Sequence, residues 1–122
     1  MHEDCYQFLE KIAVGDEGMQ ETIGSVFDYW LPDDPPLTML FSEVGEKIVD
    51  ELFEVGWLND QERFFLIEKA MNDADGYLKT AVATGLIEAM LSRASRYENG
   101  LSEILKMLGQ KSRKHADAWL NF

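Results

Sequence analysis

The stretch from Asp75 to Tyr97, DGYLKTAVATGLIEAMLSRASRY, decides the fold of this chain. Between Lys79 and Glu88 it contains no charged residue, and a helical projection at about 100° per residue places apolar side chains on opposite sides. One side carries Leu78, Ala81, Val82, Gly85 and Ala89, and the other carries Ala83, Ile87, Met90 and Leu91. A helix that is apolar over most of its circumference is typical of the centre of a protein. The uncharged part is too short, and too rich in Thr and Gly, for a membrane span.

We therefore predict a central buried helix with other helices packed around it. Its small residues would permit close contacts between helices; they are Ala81, Ala83, Gly85 and Ala89. Three positions are predicted to be almost fully buried, namely Val82, Gly85 and Ala89.

The other segments of the chain also have helical spacing. Apolar residues recur three and four positions apart, and no run alternates with period two for long enough to form a strand. The predicted helices are 3–14, 16–30, 38–56, 60–72, 75–97, 101–108 and 111–120. Short turns between them make neighbouring helices antiparallel. We therefore predict an all-α fold, a single compact domain over residues 1–122 with six to seven antiparallel helices around the central apolar helix.

Several residues are predicted to mark helix ends. All three prolines lie in the stiff turn 31–36, LPDDPP, between the second and third helices. Gly56 is suited to end the third helix. Asn59 is suited to cap the fourth, with Glu62 three residues later as in a capping box.

Length and composition limit the class of protein. A chain of 122 residues with 46% hydrophobic residues is long and apolar enough for one domain with an ordinary core. Cys5 is the only cysteine, which excludes an internal disulfide, and the sequence opens without a signal segment. We expect a protein of the reducing cytoplasm, in which Cys5 is a small buried residue of the first helix.

The charge of the chain is large and unevenly distributed. The formal net charge is −12, with 19 acids and 4 bases in residues 1–75 and 4 acids and 7 bases in residues 76–122. Such a field repels nucleic acid, attracts cationic partners and speeds their encounter. The basic residues near the C-terminus are explained by charge balance and by their place at a helix end. Charge therefore favours a basic protein partner, although many acid-rich proteins have none.

Motifs for catalysis, metal binding and cofactor binding are missing from the sequence. His2 and His115 lack a Glu or His at the spacing of a metal site, and no HExxH, paired ExxH or CxxC occurs. There is no glycine-rich phosphate loop and no nucleophile elbow. Glu88 interrupts the apolar run, either as an edge residue paired with a neighbouring helix or as a buried carboxylate that orders a site. We expect no enzyme activity, no cofactor and no metal.

The stretch from Asn59 to Leu91, NDQERFFLIEKAMNDADGYLKTAVATGLIEAML, contains a helix with an aromatic-Ile-Glu segment, an Asp-containing turn and an apolar helix that ends in a hydrophobic-Glu step. These features are formed by Phe65, Ile67 and Glu68, by Asp73 and Asp75, and by Ile87 and Glu88. In this pattern, over roughly a quarter of the chain, the sequence resembles a family of small helical bacterial immunity proteins. Proteins of that family are encoded beside contact-dependent growth inhibition or polymorphic toxins and neutralise them. The resemblance implies an antitoxin without catalytic residues, and it leaves the toxin unspecified.

The composition agrees with this resemblance. Nuclease toxins carry Lys, Arg and His to hold phosphate, and a carboxylate-rich surface can occupy the same groups. We predict an immunity protein that binds one cognate toxin domain, a basic nuclease, in a 1:1 complex and covers its active site. We expect it to bind neither nucleic acid nor membrane. The alternatives are an acidic adaptor for another basic protein, a DNA-mimic inhibitor of a basic nucleic-acid-binding protein, and an enzyme of unrecognised type.

The predicted binding surface is the acidic side of the third helix together with the proline turn before it. Four acids of this helix fall within about 80° of one another, and like charges three and four positions apart destabilise a helix by a few tenths of a kcal/mol per pair. The predicted partner-binding residues are Asp33, Asp34, Glu43, Glu46, Asp50 and Glu54. A simple solvated helix face is the alternative explanation. If the partner binds elsewhere, the second helix is the next candidate, around Asp16, Glu17 and Glu21.

Overall fold

A computed structural model describes residues 2–56, 60–74 and 76–121, and within these ranges the chain forms seven helices and no strand. The helices are α1 (Glu3–Ala13), α2 (Glu17–Trp30), α3 (Leu37–Asp50, continued by a π-helical turn over Glu51–Val55), α4 (Asp60–Asp73), α5 (76–94), α6 (Gly100–Met107) and α7 (Gln110–Leu120). Helix α5 has three consecutive parts: an α-helical turn over Gly76–Thr80, a π-helical segment over Ala81–Ile87 and an α-helical part over Glu88–Ala94. They share one hydrophobic core. The predicted all-α, single-domain architecture is therefore confirmed.

The ends of α2 and α3 show why the helices begin and end where they do. The Asp16 side chain accepts a hydrogen bond from the Met19 N–H at 3.0 Å and so caps the start of α2. Gly56 has a φ of +74°, and its N–H donates to the Glu51 carbonyl at 2.9 Å. This left-handed residue ends α3, as predicted. The predicted cap Asn59, and Asp75 at the start of the central stretch, lie outside the described residues.

Helix α1 packs one face into the core. Its buried residues include Phe8, Leu9 and Ile12, at the spacing the sequence predicted. Cys5 is fully buried beside them, and burial raises the pKa of its thiol to about 11. The prediction that Cys5 is a small core residue is confirmed, and a thiol with so high a pKa is a poor nucleophile at neutral pH.

Helix α5 is the buried centre of the fold. Val82 and Gly85 are buried as predicted, together with Leu86 and Ile87. Ala89 is only half-buried, so this part of the prediction was wrong. The reason is the π-helical segment that precedes it, because a helix with i→i+5 hydrogen bonds turns by less per residue than an α-helix. A projection at α-helical pitch therefore rotates later residues to the wrong side.

Glycines make a close contact where α3 crosses α5. A Cβ atom placed on Gly45 would lie 2.5 Å from the carbonyl oxygen of Leu86, and one on Gly85 would lie 2.9 Å from the Cβ of Phe41. The Ser42 hydroxyl also donates to the Gly85 carbonyl at 3.3 Å. Glycine on both helices thus lets the two backbones touch. Because α3 is held this tightly along its apolar face, its acidic side is fixed towards the outside.

Helix α7 is capped by a side chain from another helix. The Glu68 carboxylate of α4 accepts hydrogen bonds from the Lys111 N–H at 2.8 Å and from the Ser112 N–H and hydroxyl at 3.0 and 2.8 Å. Burial raises the pKa of Glu68, but these hydrogen bonds outweigh it and hold the pKa below its usual range. Glu68 thus fixes the position of the last helix.

Glu88 is the charged residue that interrupts the apolar run of α5. It is half-buried, and its carboxylate lies 2.9 Å from Nε2 of His115 on α7. Ala116 of the same helix is buried and Trp119 is half-buried, whereas Leu120 is exposed. Of the two explanations offered by the sequence, the structure therefore shows the edge residue that pairs with a neighbouring helix.

Candidate partner-binding surface

The first three helices and their connections present a strongly acidic surface. Residues 2–56 contain fourteen acidic side chains, and ten of them are exposed. The exposed acids are Glu3, Asp4, Glu10, Glu17, Glu21, Asp28, Asp33, Asp34, Glu43 and Glu54. The same part of the chain has two Lys or Arg residues, of which Lys11 is exposed and Lys47 is half-buried. The negative field predicted from composition is therefore displayed at the surface.

The acids predicted on α3 divide into two groups. Glu43 and Glu54 are exposed, whereas Glu46 and Asp50 are half-buried. We refer to these four residues as the α3 acidic face. The helical projection therefore holds for Glu43 and Glu54, whereas Glu46 and Asp50 are partly covered.

Asp33 and Asp34 are exposed in the proline turn. Burial and, after it, the charge of Asp34 raise the pKa of Tyr6 on α1. The turn therefore adds two exposed carboxylates to the acidic surface before the start of α3.

Asp50 is not a free carboxylate. Arg93 of α5 donates to both of its oxygens, from Nε and Nη2, each at 2.8 Å, and the Tyr97 hydroxyl donates to Oδ1 at 2.7 Å. Burial raises the pKa of Asp50, but the hydrogen bonds from Arg93 and Tyr97 outweigh it and lower the pKa. The same hydroxyl also contacts Glu54, and its hydrogen bonds to Glu54 and Asp50 raise the pKa of Tyr97. Asp50 therefore ties α3 to the end of α5.

This pairing was not visible in the sequence, because Arg93 and Asp50 are 43 positions apart. Its consequence for binding is that the second half of the α3 acidic face is partly neutralised. The exposed acids before and within the first half of α3 are Asp33, Asp34 and Glu43. The site prediction itself stays a prediction for all six residues.

Asp16, the first residue of the alternative surface, belongs to a buried ionic network. Arg63 of α4 is 2% exposed, and its Nη2 and Nη1 donate to Asp16 at 2.6 Å and to Glu51 at 2.7 Å. Its Nε donates to the Ile12 carbonyl at 3.1 Å. Asp16 is therefore structural and unsuited to contact a partner, so its placement in a second binding surface was wrong. Glu17 and Glu21 remain exposed.

The pKa values of the two carboxylates of this network shift in opposite directions. Burial opposes the charged form of both. Hydrogen bonding with Glu51, Arg63 and the Met19 N–H outweighs burial for Asp16 and lowers its pKa. For Glu51 burial prevails and raises the pKa. The burial of Arg63 could have been inferred from the sequence, because Arg63 lies on the same stripe of α4 as the buried Phe64 and Ile67.

Two kinds of feature are absent from residues 2–56, 60–74 and 76–121, a metal-binding group of side chains and a membrane-spanning helix. Within these ranges, no group of three or more His, Cys, Asp or Glu side chains is arranged to hold a metal ion. None of the described helices is long and apolar enough to cross a membrane.

Comparison with known proteins found no matching family model, no similar curated protein and no similar solved structure. The resemblance to immunity proteins therefore stays a prediction.

Proposed function

We propose that this chain is an immunity protein that acts in the cytoplasm by binding a basic toxin domain, of the nuclease class, and covering its active site. One observation carries the proposal: ten exposed acids and a single exposed Lys lie on residues 2–56. Surface carboxylates at this density attract a cationic protein and accept charge-assisted hydrogen bonds from its Lys, Arg and His side chains. These are the groups with which a nuclease holds phosphate.

The geometry of α3 supports this proposal. Gly45 and Gly85 fix α3 against α5, and the Arg93–Asp50 pair fixes its far end. Glu43, the exposed acid in the first half of α3, is thus carried on a rigid element. Rigid presentation lowers the entropy lost on binding, which favours a tight complex.

Co-expression tests this function directly. Each reading frame beside the gene is expressed in a sensitive host with and without this chain, and growth is measured. We expect one neighbour to be toxic alone and harmless with this chain, in a 1:1 complex. The association rate should fall as salt rises through a few hundred millimolar, because ions screen the surface charges. An acidic adaptor would protect against no toxin, and a DNA mimic would inhibit several unrelated DNA-binding proteins.

A charge-removal variant tests where the toxin binds. Replacing three exposed acids, Asp33→Asn, Asp34→Asn and Glu43→Gln, is expected to weaken toxin binding at least tenfold, about 1.4 kcal/mol, mainly through slower association. The melting temperature should stay within a few degrees, because these side chains are exposed. Binding is measured by titration calorimetry and stopped-flow mixing.

The matched control removes the same three charges elsewhere, by Glu62→Gln, Glu98→Gln and Glu103→Gln, all at exposed positions. If the control weakened binding as much as the test variant, net charge alone would be responsible. The predicted surface would then be wrong.

A further inference from the structure

Helix α2 is unusually poorly buried for its composition. Its 14 residues include Met19, Ile23, Val26, Phe27 and Trp30 at helical spacing, yet only Met19 is buried. The other four are half-buried, and Tyr29 next to them is 81% exposed. A helix of a small domain normally packs such a stripe against its neighbours. Much of the apolar surface of α2 is therefore not covered by the part of the chain that the structure describes.

A groove between α1 and α2 exposes part of this surface. It has a volume of about 500 Å³ and is lined by Tyr6, Leu9, Glu10, Ala13, Val14, Gln20, Ile23, Gly24 and Phe27. The lining residues recur at intervals of three and four on both helices, so each helix contributes one continuous stripe. The edge-to-face contact between Tyr6 and Phe27 marks one end, and the hydrogen bond from Gln20 to the Ala13 carbonyl marks the other. We call this feature the α1–α2 groove.

Gly24 widens the groove at its middle. A Cβ atom placed on Gly24 meets no other atom within 4 Å, in contrast to Gly45 at the α3–α5 contact. Glycine is a poor residue for the interior of a helix, and packing does not require it at this position. Its effect is to leave open space between the two apolar stripes.

The charged side chains that line the groove and those of α2 are all acidic. Glu10 forms part of its wall, and α2 carries Glu17, Glu21 and Asp28 without a single basic residue. Lys11, the one base of α1, lies on another side of that helix, where it lines a cavity with residues of α4. The groove is therefore apolar at its floor and acidic along its surroundings.

We propose that the α1–α2 groove binds an amphipathic helix of a partner protein, with an apolar stripe flanked by Lys and Arg. Its walls span residues 6–14 and 20–27, a length of about 12 Å, which suits a helix of two to three turns. A second copy of this chain would bring the same acidic surroundings face to face, which like-charge repulsion opposes. The proposal rests on the proposed function in one respect, that the helix belongs to the toxin domain.

The test uses the full chain labelled with ¹⁵N and three synthetic 14-residue peptides. The first consists of Leu and Lys, with the Leu residues three and four positions apart so that they form one apolar stripe on a helix. The second has the same composition in an order that gives no stripe, and the third has Glu in place of Lys. We expect only the first to shift resonances of groove residues such as Ala13, Ile23 and Phe27, with saturation at one peptide per chain.

Two variants localise the binding. Gly24→Trp fills the open space and is expected to weaken binding of the first peptide at least tenfold. Gly24→Ala leaves most of the space and should change binding less than twofold. Both variants should fold, because nothing lies within 4 Å of the added Cβ, and this is checked by their melting curves.

Three results would overturn the proposal. The first is that the peptide without a stripe binds as tightly as the first peptide. The second is that the first peptide binds Gly24→Trp as tightly as the unmodified chain. The third is a dimer, seen by sedimentation, that Gly24→Trp dissociates, because the groove would then bind a second copy of this chain. The peptide assay requires no toxin. Loss of protection in co-expression with intact peptide binding would thus count against the proposed function alone.

Discussion

Replacement of Arg63 by alanine is expected to lower the free energy of unfolding by about 3–5 kcal/mol, the range found when one partner of a buried ion pair is removed. Arg63 donates to Asp16, to Glu51 and to the Ile12 carbonyl. It thereby joins α4 to α1, to the start of α2 and to the end of α3. Without it, two carboxylates remain in the core with no guanidinium between them. Urea denaturation followed by circular dichroism measures the loss.

The size of this loss should depend on pH. In the variant, mutual repulsion and burial raise the pKa of one of the two carboxyls, which then takes up a proton in the folded state. A group whose folded pKa is raised contributes stability at low pH that is lost as pH rises through that pKa. We therefore expect Arg63→Ala to lose less free energy of unfolding, relative to the unmodified chain, at about pH 5 than at about pH 8.

Lys69→Ala is the matched control, because it removes one positive charge from an exposed position of the same helix. It should change stability by less than about 0.5 kcal/mol. If Arg63→Ala lowered the free energy of unfolding no more than this control, or by the same amount at both pH values, the network would not hold the helices together in the way the structure indicates.

Replacement of Gly45 by valine is expected to destabilise the fold by about 3 kcal/mol or more, at the upper end of what overpacking a core costs. The new Cβ would lie 2.5 Å from the carbonyl oxygen of Leu86, an atom of the α5 backbone. Neither helix can move away freely, because a Cβ on Gly85 of α5 would lie only 2.9 Å from the Phe41 Cβ and 3.0 Å from the Thr38 carbonyl of α3. Thermal and urea denaturation both report the change.

Gly24→Val makes the same substitution at a helical glycine with open space around it. Valine has a higher helix propensity than glycine, so this control should be neutral or stabilising by a few tenths of a kcal/mol. Because Gly45→Val should lower the stability and Gly24→Val should not, the comparison distinguishes the effect of packing from the effect of helix propensity. Equal effects at Gly24 and Gly45 would mean that the close approach of α3 and α5 is not needed for stability.

Most of the fold could be predicted because it is encoded locally. Apolar residues three and four apart, glycines such as Gly56 and the proline turn fix helices and their ends without reference to distant residues. The burial of Val82 and Gly85 followed from the same periodicity. The half-burial of Ala89 did not, because the π-helical segment before it changes the angle between residues.

The candidate surface was only partly predictable for a different reason. The outward position of Glu43 and Glu54 is set by helical phase, which the sequence contains. The state of Asp50 and Asp16 depends on Arg93 and Arg63, which are 43 and 47 positions away along the chain. Which carboxylate meets a guanidinium is decided by how helices cross, and no local pattern specifies that.

The sequence by itself therefore determined the helical class, the position of the central helix and the negative field, since each depends on composition or on short-range periodicity. Only the tertiary structure decided which acids are paired and which are exposed, and that α2 stays half-covered beside an open groove. The ion pairs depend on how helices far apart in sequence cross, and the groove depends on how α1 and α2 pack against each other. The packing of the whole core sets both.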